Sequence, residues 1–323
     1  MTIIGLRHGS RGMTLIELMV SLALGVFLTW GAFEVYVRSK SNYRAADALT
    51  RLQENTRFAL ETIEPDLRLT GFWGRHREGG RVERPGAIVV SCDGGDVTDW
   101  ALDLAVGVAA QDDNYDLDCA AWSEARAASD VLIIRHASER ATDPQAGKIQ
   151  LHTDLTLARL FDDGVVPADF LPTAVTHDLV VHAYYVDNAS SFDDGLPSLR
   201  RQTLVDGSVV EDQEMITGVE NLQVQFGLDT DADGGVERYV DPGSPVLDDT
   251  SALFIPAARI VAVRFWLLVR GEESPGADFR DTRTYQPLDL DNAPITPGGA
   301  EYPDNFQRIA VTKTVYLRNQ GAS

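Results

Sequence analysis

From Met13 to Val37 the chain runs for 25 residues with only two charged side chains, Glu17 and Glu34. About 20 apolar residues in a helix suffice to cross a bilayer core. A segment like this must be covered by lipid or by protein, and its length predicts a membrane-spanning helix. Glu17 sits near its start, where an ionised carboxylate costs roughly a few kcal/mol in lipid. A residue that expensive calls for a function. Arg7, Arg11 and Gly12 precede the apolar run. An ordinary secretory signal ends in a small-x-small site after its apolar region and is removed together with it. Here the expected cut lies before the apolar run, so the helix stays on the mature chain.

Beyond the span, Leu49, Leu52, Thr56, Ala59, Ile63 and Leu67 recur in steps of three and four, the spacing of one helical face. Asp47, Arg51, Glu54, Arg57, Glu61 and Glu64 line the other. One helix of some 50 residues is expected, lipid- or filament-facing in its first half and amphipathic in its second. Pro65 is expected to end or kink it, and Gly71 offers a stop. From Ala87 onward, short β-branched and aromatic runs alternate with Gly, Pro, Asp and Asn clusters. Strands are predicted at 87–91, 131–136, 179–186, 199–205, 219–228, 259–269 and 309–317. In 219–227, Leu222, Val224 and Phe226 share one face while Gln223 and Gln225 share the other, the pattern of a half-buried antiparallel strand. In 259–270 both faces are mostly apolar, so that strand should be central. Loops are expected at 137–148, 188–197 and 272–302.

The stretch RGMTLIELMVSLALG, Arg11 to Gly25, resembles the type IV prepilin signal. Gly12 matches the glycine before the scissile bond, Met13 becomes the new N-terminus, and Glu17 falls at the fifth mature position. Met13 stands where the family usually has phenylalanine. The resemblance implies cleavage by a prepilin peptidase, methylation of the new amine, and pairing of Glu17 with the terminal amine of a neighbouring subunit. It also implies an α+β, type IV pilin-like fold: a long N-terminal helix packed on a mainly antiparallel β-sheet head. Four blocks, Gln53 to Gly74, Met215 to Val240, Ala258 to Glu273 and Phe306 to Asn319, look like the PilW group of minor pilins. That group is implied to act near the filament tip, in a complex that primes assembly and presents an adhesin. The implied organisation is a cleaved leader (1–12), a transmembrane or filament-core half-helix (13–37), an amphipathic half-helix and link (38–74) and an extracytoplasmic head (75–323). The implied location is the inner membrane, single-pass with the head in the periplasm, and then the pilus at the cell surface. Its partners would be other minor pilins, the major pilin, the prepilin peptidase and a tip adhesin.

Loss of the leader leaves 26 basic residues against 49 acidic ones, a net charge near −23. That balance excludes binding to a nucleic-acid backbone, which needs clustered Lys and Arg. Cys92 and Cys119 are the only cysteines. In an extracytoplasmic head they are well placed to form one disulfide, whereas no CxxC or Cys/His cluster favours zinc. Asp229, Asp231, Asp233, Gly235 and Glu237 reproduce the first half of a calcium loop. Val240 stands where the bidentate glutamate belongs, with Glu237 or Asp241 as substitutes. The same residues also suit an acidic hairpin with no ion. No cofactor is required. His136, His152, His177 and His182 are scattered, acid pairs such as Asp112/Asp113 and Asp193/Asp194 fall in loops, and no catalytic motif occurs. Trp73, Trp100, Trp122 and Trp266 are expected to pack in the core or on sheets; Trp30 packs on other subunits or in lipid. The leading expectation is a non-enzymatic minor pilin. Its alternatives are a minor pseudopilin of a type II secretion system and a single-pass anchored calcium-responsive or enzymatic periplasmic protein.

Overall fold

The computed structural model describes residues 13–93, 95–276, 278–289 and 292–319. The leader, 1–12, with Gly12 at the expected cut, lies outside them. The chain forms two units, 1–47 and 48–323, and one helix, α1 (Leu15–Leu69), runs through the division.

In the first unit the Thr14 hydroxyl accepts the Glu17 N–H at 3.3 Å, capping the first turn. The side chains of residues 13–40 are all exposed to the surroundings. The most apolar 18-residue window has a mean hydropathy of 1.9. Several polar side chains within this part bond to the helix itself. Ser21 and Thr29 each donate to a carbonyl one turn back, both at 2.7 Å, and Arg38 pairs with Glu34.

In the second unit Leu52, Thr56, Ala59, Ile63 and Leu67 are buried along one stripe, while Leu49, at the start of the pattern, is half-exposed. The opposite face carries the Arg57–Glu61 pair at 2.7 Å and Glu64, which pairs with Arg68 and with Lys313. Pro65 does not end the helix; α1 continues for another turn to Leu69. Leu67 is fully buried and Asp66 is bonded to the sheet, so tertiary contacts outweigh the one lost N–H. The chain leaves through Gly71 at φ +70°, a left-handed conformation that glycine adopts without a Cβ clash.

The head contains β1 (Val90–Cys92), β2 (Val97–Thr98), β3 (Val108–Gln111), β4 (Val131–Ala137), β5 (Ala146–Thr153), β6 (Ala158–Asp163), β7 (Val175–Asp187), β8 (Ser198–Val205), β9 (Val209–Thr217), β10 (Val219–Asp229), β11 (Arg238–Val240), β12 (Arg259–Arg270) and β13 (Arg308–Tyr316). The larger sheet has the order β2-β1-β9-β8-β7-β4-β3, and the first half of β7 also pairs with β5, which pairs with β6. Its pairings are antiparallel except β1 with β9. The smaller sheet, β11-β10-β12-β13, is antiparallel throughout, with β12 central as its two apolar faces predict. The α1 stripe belongs to the same apolar cluster as Leu132 and Ile134 of β4, Tyr184 of β7, and Leu222, Val224 and Phe265 of the smaller sheet.

β10 is not half-buried: every residue in it is buried, Gln223 and Gln225 included. The 272–302 segment covers its second face. There Asn292 donates to Gln223 at 3.1 Å, Gln225 donates to the Leu288 carbonyl at 3.2 Å, and Tyr285, Leu288, Ile295 and Tyr302 pack with Trp266 and Leu268. Trp73 and Trp266 are buried and Trp100 is half-buried, but Trp122 is 54% exposed, its ring 4.5 Å from the Arg200 guanidinium. Arg200 is buried because Asp212 and Glu214 of β9 accept from it at 2.5 and 3.1 Å. Strands β2, β3, β5, β6, β9 and β11 add to those expected from the sequence.

Asp66 fixes the last turn of α1 to the larger sheet. Its Oδ2 accepts from Tyr184 at 2.5 Å and from His182 Nδ1, and His136 Nε2 lies 3.9 Å from Oδ1. Burial alone would raise the Asp66 carboxyl, but the donors on His136, His182 and Tyr184 outweigh it and hold the group well below its ordinary value. Burial pushes His182 down despite the pull of Asp66. Both shifts act in one direction. The unfolded chain takes up protons on His182 below about pH 6.5 and on Asp66 below about pH 4 that the folded chain resists. Stability should therefore decline as pH falls through those windows. In denaturant titrations Asp66→Asn is expected to cost about 2 kcal/mol at pH 7 and to show a smaller decline below about pH 4 than the parent chain.

Cys92, at the end of β1, is bonded to Cys119 between β3 and β4, with Cα atoms 5.2 Å apart. Replacing both with serine should lower the stability of the head by about 3 to 4 kcal/mol, measured by denaturant unfolding under oxidising conditions. Under reducing conditions the two proteins should unfold alike.

Candidate functional site

Thr14, Leu15, Ile16 and Glu17 have the spacing of a helix-capping box, and Thr14 makes the first half of it. Glu17 lies in the first turn of α1, where the helix dipole favours a negative charge. Among the described residues its carboxylate has no ion pair, so any cation that neutralises it comes from elsewhere. Met13, the expected new terminus, is 61% exposed. Its partner in the expected cut, Gly12, is outside the described residues.

The second group sits between β10 and β11. Asp229 accepts the N–H groups of Asp231, Ala232 and Gly234 at 3.2, 2.6 and 3.0 Å. These donors, acting against burial, hold its carboxyl below the ordinary range. Asp231 accepts from Asp233 N, Asp233 from Gly235 N, and Glu237 from Thr230 N. Ala232 and Gly234 take positive φ, which closes the turn. Carboxylate oxygens of Asp229, Asp231, Asp233 and Glu237 thereby come within 4.8 Å of one another. That is a cluster of oxygen donors suited to a hard cation. Gly235 donates its N–H to Asp233 at 2.6 Å. Asp241 is engaged elsewhere, accepting from Gln225 at 2.7 Å, and Val240 pairs with Phe226 in the sheet.

A further acidic group escapes a reading of the sequence because its members are far apart along the chain. Asp112, Asp113 and Asp289 place carboxylate oxygens within 4.8 Å of one another. Beside them burial, with the charges of Asp112 and Asp113 adding, pushes Asp130 up to about 8. Asp130 is fixed by N–H groups of Asp113 and Val224 at 2.9 and 2.7 Å.

Among the described residues no histidine joins a group that could hold a metal, and His136 and His182 meet instead at Asp66. His177 and His182 both lie on β7 at an odd separation, which places them on opposite faces. His177 Nδ1 bonds the Ser138 carbonyl, His182 bonds Asp66, and His152 bonds Thr176. Asp66 is the half-buried carboxylate that the helical pattern conceals. It lies one residue from fully buried Leu67, a boundary position that the apolar spacing assigns to neither face.

Residues 7–33 match the family model of the prokaryotic N-terminal methylation motif, and residues 183–319 match that of type IV pilus-assembly protein W. The first match contains Glu17. The second runs from within β7 to the end of β13, so it takes in the whole smaller sheet and the 229–237 loop. Neither the curated proteins nor the solved structures give a significant match. The chain thus carries a prepilin-type methylation motif at one end and, over residues 183–319, is similar to type IV pilus-assembly protein W.

Proposed function

We propose that the chain is made as an inner-membrane precursor with its head in the periplasm, is cut between Gly12 and Met13, and enters a type IV pilus as a structural subunit. Its place is the complex of minor pilins that starts assembly at the tip, beside the major pilin and an adhesin. The observation that carries this reading is the exposed apolar helix with Glu17 in its first turn, directly after a methylation-motif leader. Residues 13–37 supply the anchor and later the filament core, 38–74 join it to the head, and 75–323 form the head. Glu17 pairs with the methylated terminal amine of a neighbour. In a low-dielectric bundle an unpaired carboxylate is strongly disfavoured, so the pair sets the axial register.

Gly12→Val should leave an uncut precursor in the membrane, seen as a larger band on immunoblots; normal processing would refute the proposed cut. Glu17→Ala should be processed normally yet recovered in sheared pili at a level roughly tenfold lower, the equivalent of about 1.4 kcal/mol. Deletion of the gene should abolish surface pili and spare protein secretion, whereas loss of secretion with pili intact would favour a type II pseudopilus.

The 229–237 loop is proposed to take calcium on the carboxylates of Asp229, Asp231, Asp233 and Glu237. Extracellular calcium sites have dissociation constants of about 0.1 to 1 mM. On that scale about 10 mM calcium should stabilise the folded chain by roughly 1.4 to 2.7 kcal/mol, read as a rise in melting temperature. Asp231→Ala should abolish the rise. An unchanged melting temperature in the parent chain would leave the loop as a turn without an ion.

A further inference from the structure

The turn after α1 holds a cationic pocket that no described residue neutralises. A cavity of about 460 Å³ is lined by Gly71 to Arg77, Leu155, Arg318 and Asn319. Three arginines line it, Arg75, Arg77 and Arg318, and no acidic residue does. Among the described residues none of the three has a side-chain hydrogen bond or an ion pair. Some other arginines of the head pair with carboxylates, as Arg159 does with Glu83, Arg200 with Asp212 and Arg308 with Glu220, and Arg135 bonds the Trp100 and Val106 carbonyls. Both ring nitrogens of His76 also lie buried without a partner.

The pocket is built on a clamped backbone. Thr153 Oγ1 accepts the N–H groups of Arg75 and His76 at 3.0 and 3.1 Å, and the Phe72 carbonyl accepts from Ala137 at 2.6 Å. Gly74 sits at φ +67°, so close to the sheet that a Cβ would lie 2.8 Å from the His177 ring and 2.9 Å from the Thr153 methyl. Consecutive residues are thereby pinned while the Arg75 and Arg77 side chains stay exposed. A fixed backbone under charged side chains lowers the ordering cost of binding.

We propose that this pocket is an anion-recognition site for an acidic segment of another protein chain, held by its carboxylates. Guanidinium forks match planar carboxylates two bonds at a time. Phosphate-binding turns instead offer free backbone N–H groups, and here those of Gly71, Phe72, Arg75 and His76 are already used. Leu155, 71% exposed, and half-buried Phe72 add an apolar surface beside the charges. The fitting ligand therefore carries apolar side chains between its carboxylates.

The test uses the full chain in phosphatidylcholine nanodiscs and two fluorescein-labelled peptides, Leu-Asp-Leu-Asp-Leu-Asp and its counterpart with asparagine at each aspartate. The acidic peptide should bind, with affinity falling as salt rises, and the asparagine peptide at least about tenfold more weakly. Arg75→Gln and Arg318→Gln should each weaken binding roughly tenfold with unchanged melting temperature. Arg140→Gln, exposed and outside the pocket, should leave binding unchanged. Equal binding of both peptides, an equal loss in Arg140→Gln, or no binding at all would overturn the proposal. So would peptide-independent capture by vesicles of phosphatidylglycerol that Arg75→Gln abolishes, since that result assigns the pocket to a lipid headgroup. None of these readouts depends on processing or on pilus assembly.

Discussion

Four apolar side chains on one helix, Leu52, Ala59, Ile63 and Leu67, hold the head together. They join a single cluster with β4, β7 and β8 of the larger sheet and with β10, β12 and β13 of the smaller one. Each sheet has an apolar face that must be covered, and a fully buried aliphatic side chain contributes about 1.5 to 3 kcal/mol. The same helix that is bare of cover within its own unit at 13–40 thus becomes a core element from Leu52 onward. Asp66 then adds a polar fastening at the end of the stripe, where the helix would otherwise fray.

Buried charge is the second organising element. Arg308 and Glu220 are both fully buried and joined by two bonds of 2.6 and 3.0 Å. Arg200 spans Asp212 and Glu214 on the neighbouring strand. Such pairs add little net stability, because their desolvation is costly. They do penalise misalignment. A slip of one residue in β8 or β9 would turn these side chains to the opposite face and separate them.

The sequence made the architecture legible wherever burial follows a simple period. α1, β4, β7, β8, β10, β12 and β13 carry apolar residues at helical or alternate spacing, and their limits shift by only a few residues. β9 was hidden by its run Glu211-Asp212-Gln213-Glu214, which reads as a solvated loop until buried Arg200 appears beside it. β5 and β6 were concealed by polar residues such as Gln150 and His152, which are buried on side-chain partners. The buried face of β10 could not be foreseen, because its cover is a segment without regular structure. At the site level, residues close in sequence were visible: Glu17 after the leader and the carboxylates of 229–237. Groups assembled from distant residues, such as the turn at 71–77 with Arg318, had no local signal.

The parallel pairing of β1 with β9 bears on the order in which the head can form. Ser91 and Cys92 lie opposite Val209 and Val210, so β1 has only two-residue β2 as a strand partner until most of the larger sheet has been made. Contacts this distant close a long loop, and they slow folding. The bond from Cys92 to Cys119 needs no residue beyond Cys119. It can tie the 92–119 segment into a ring before β9 exists, shortening the search that β1 must make. The bridge thus serves the route to the fold as well as the finished head.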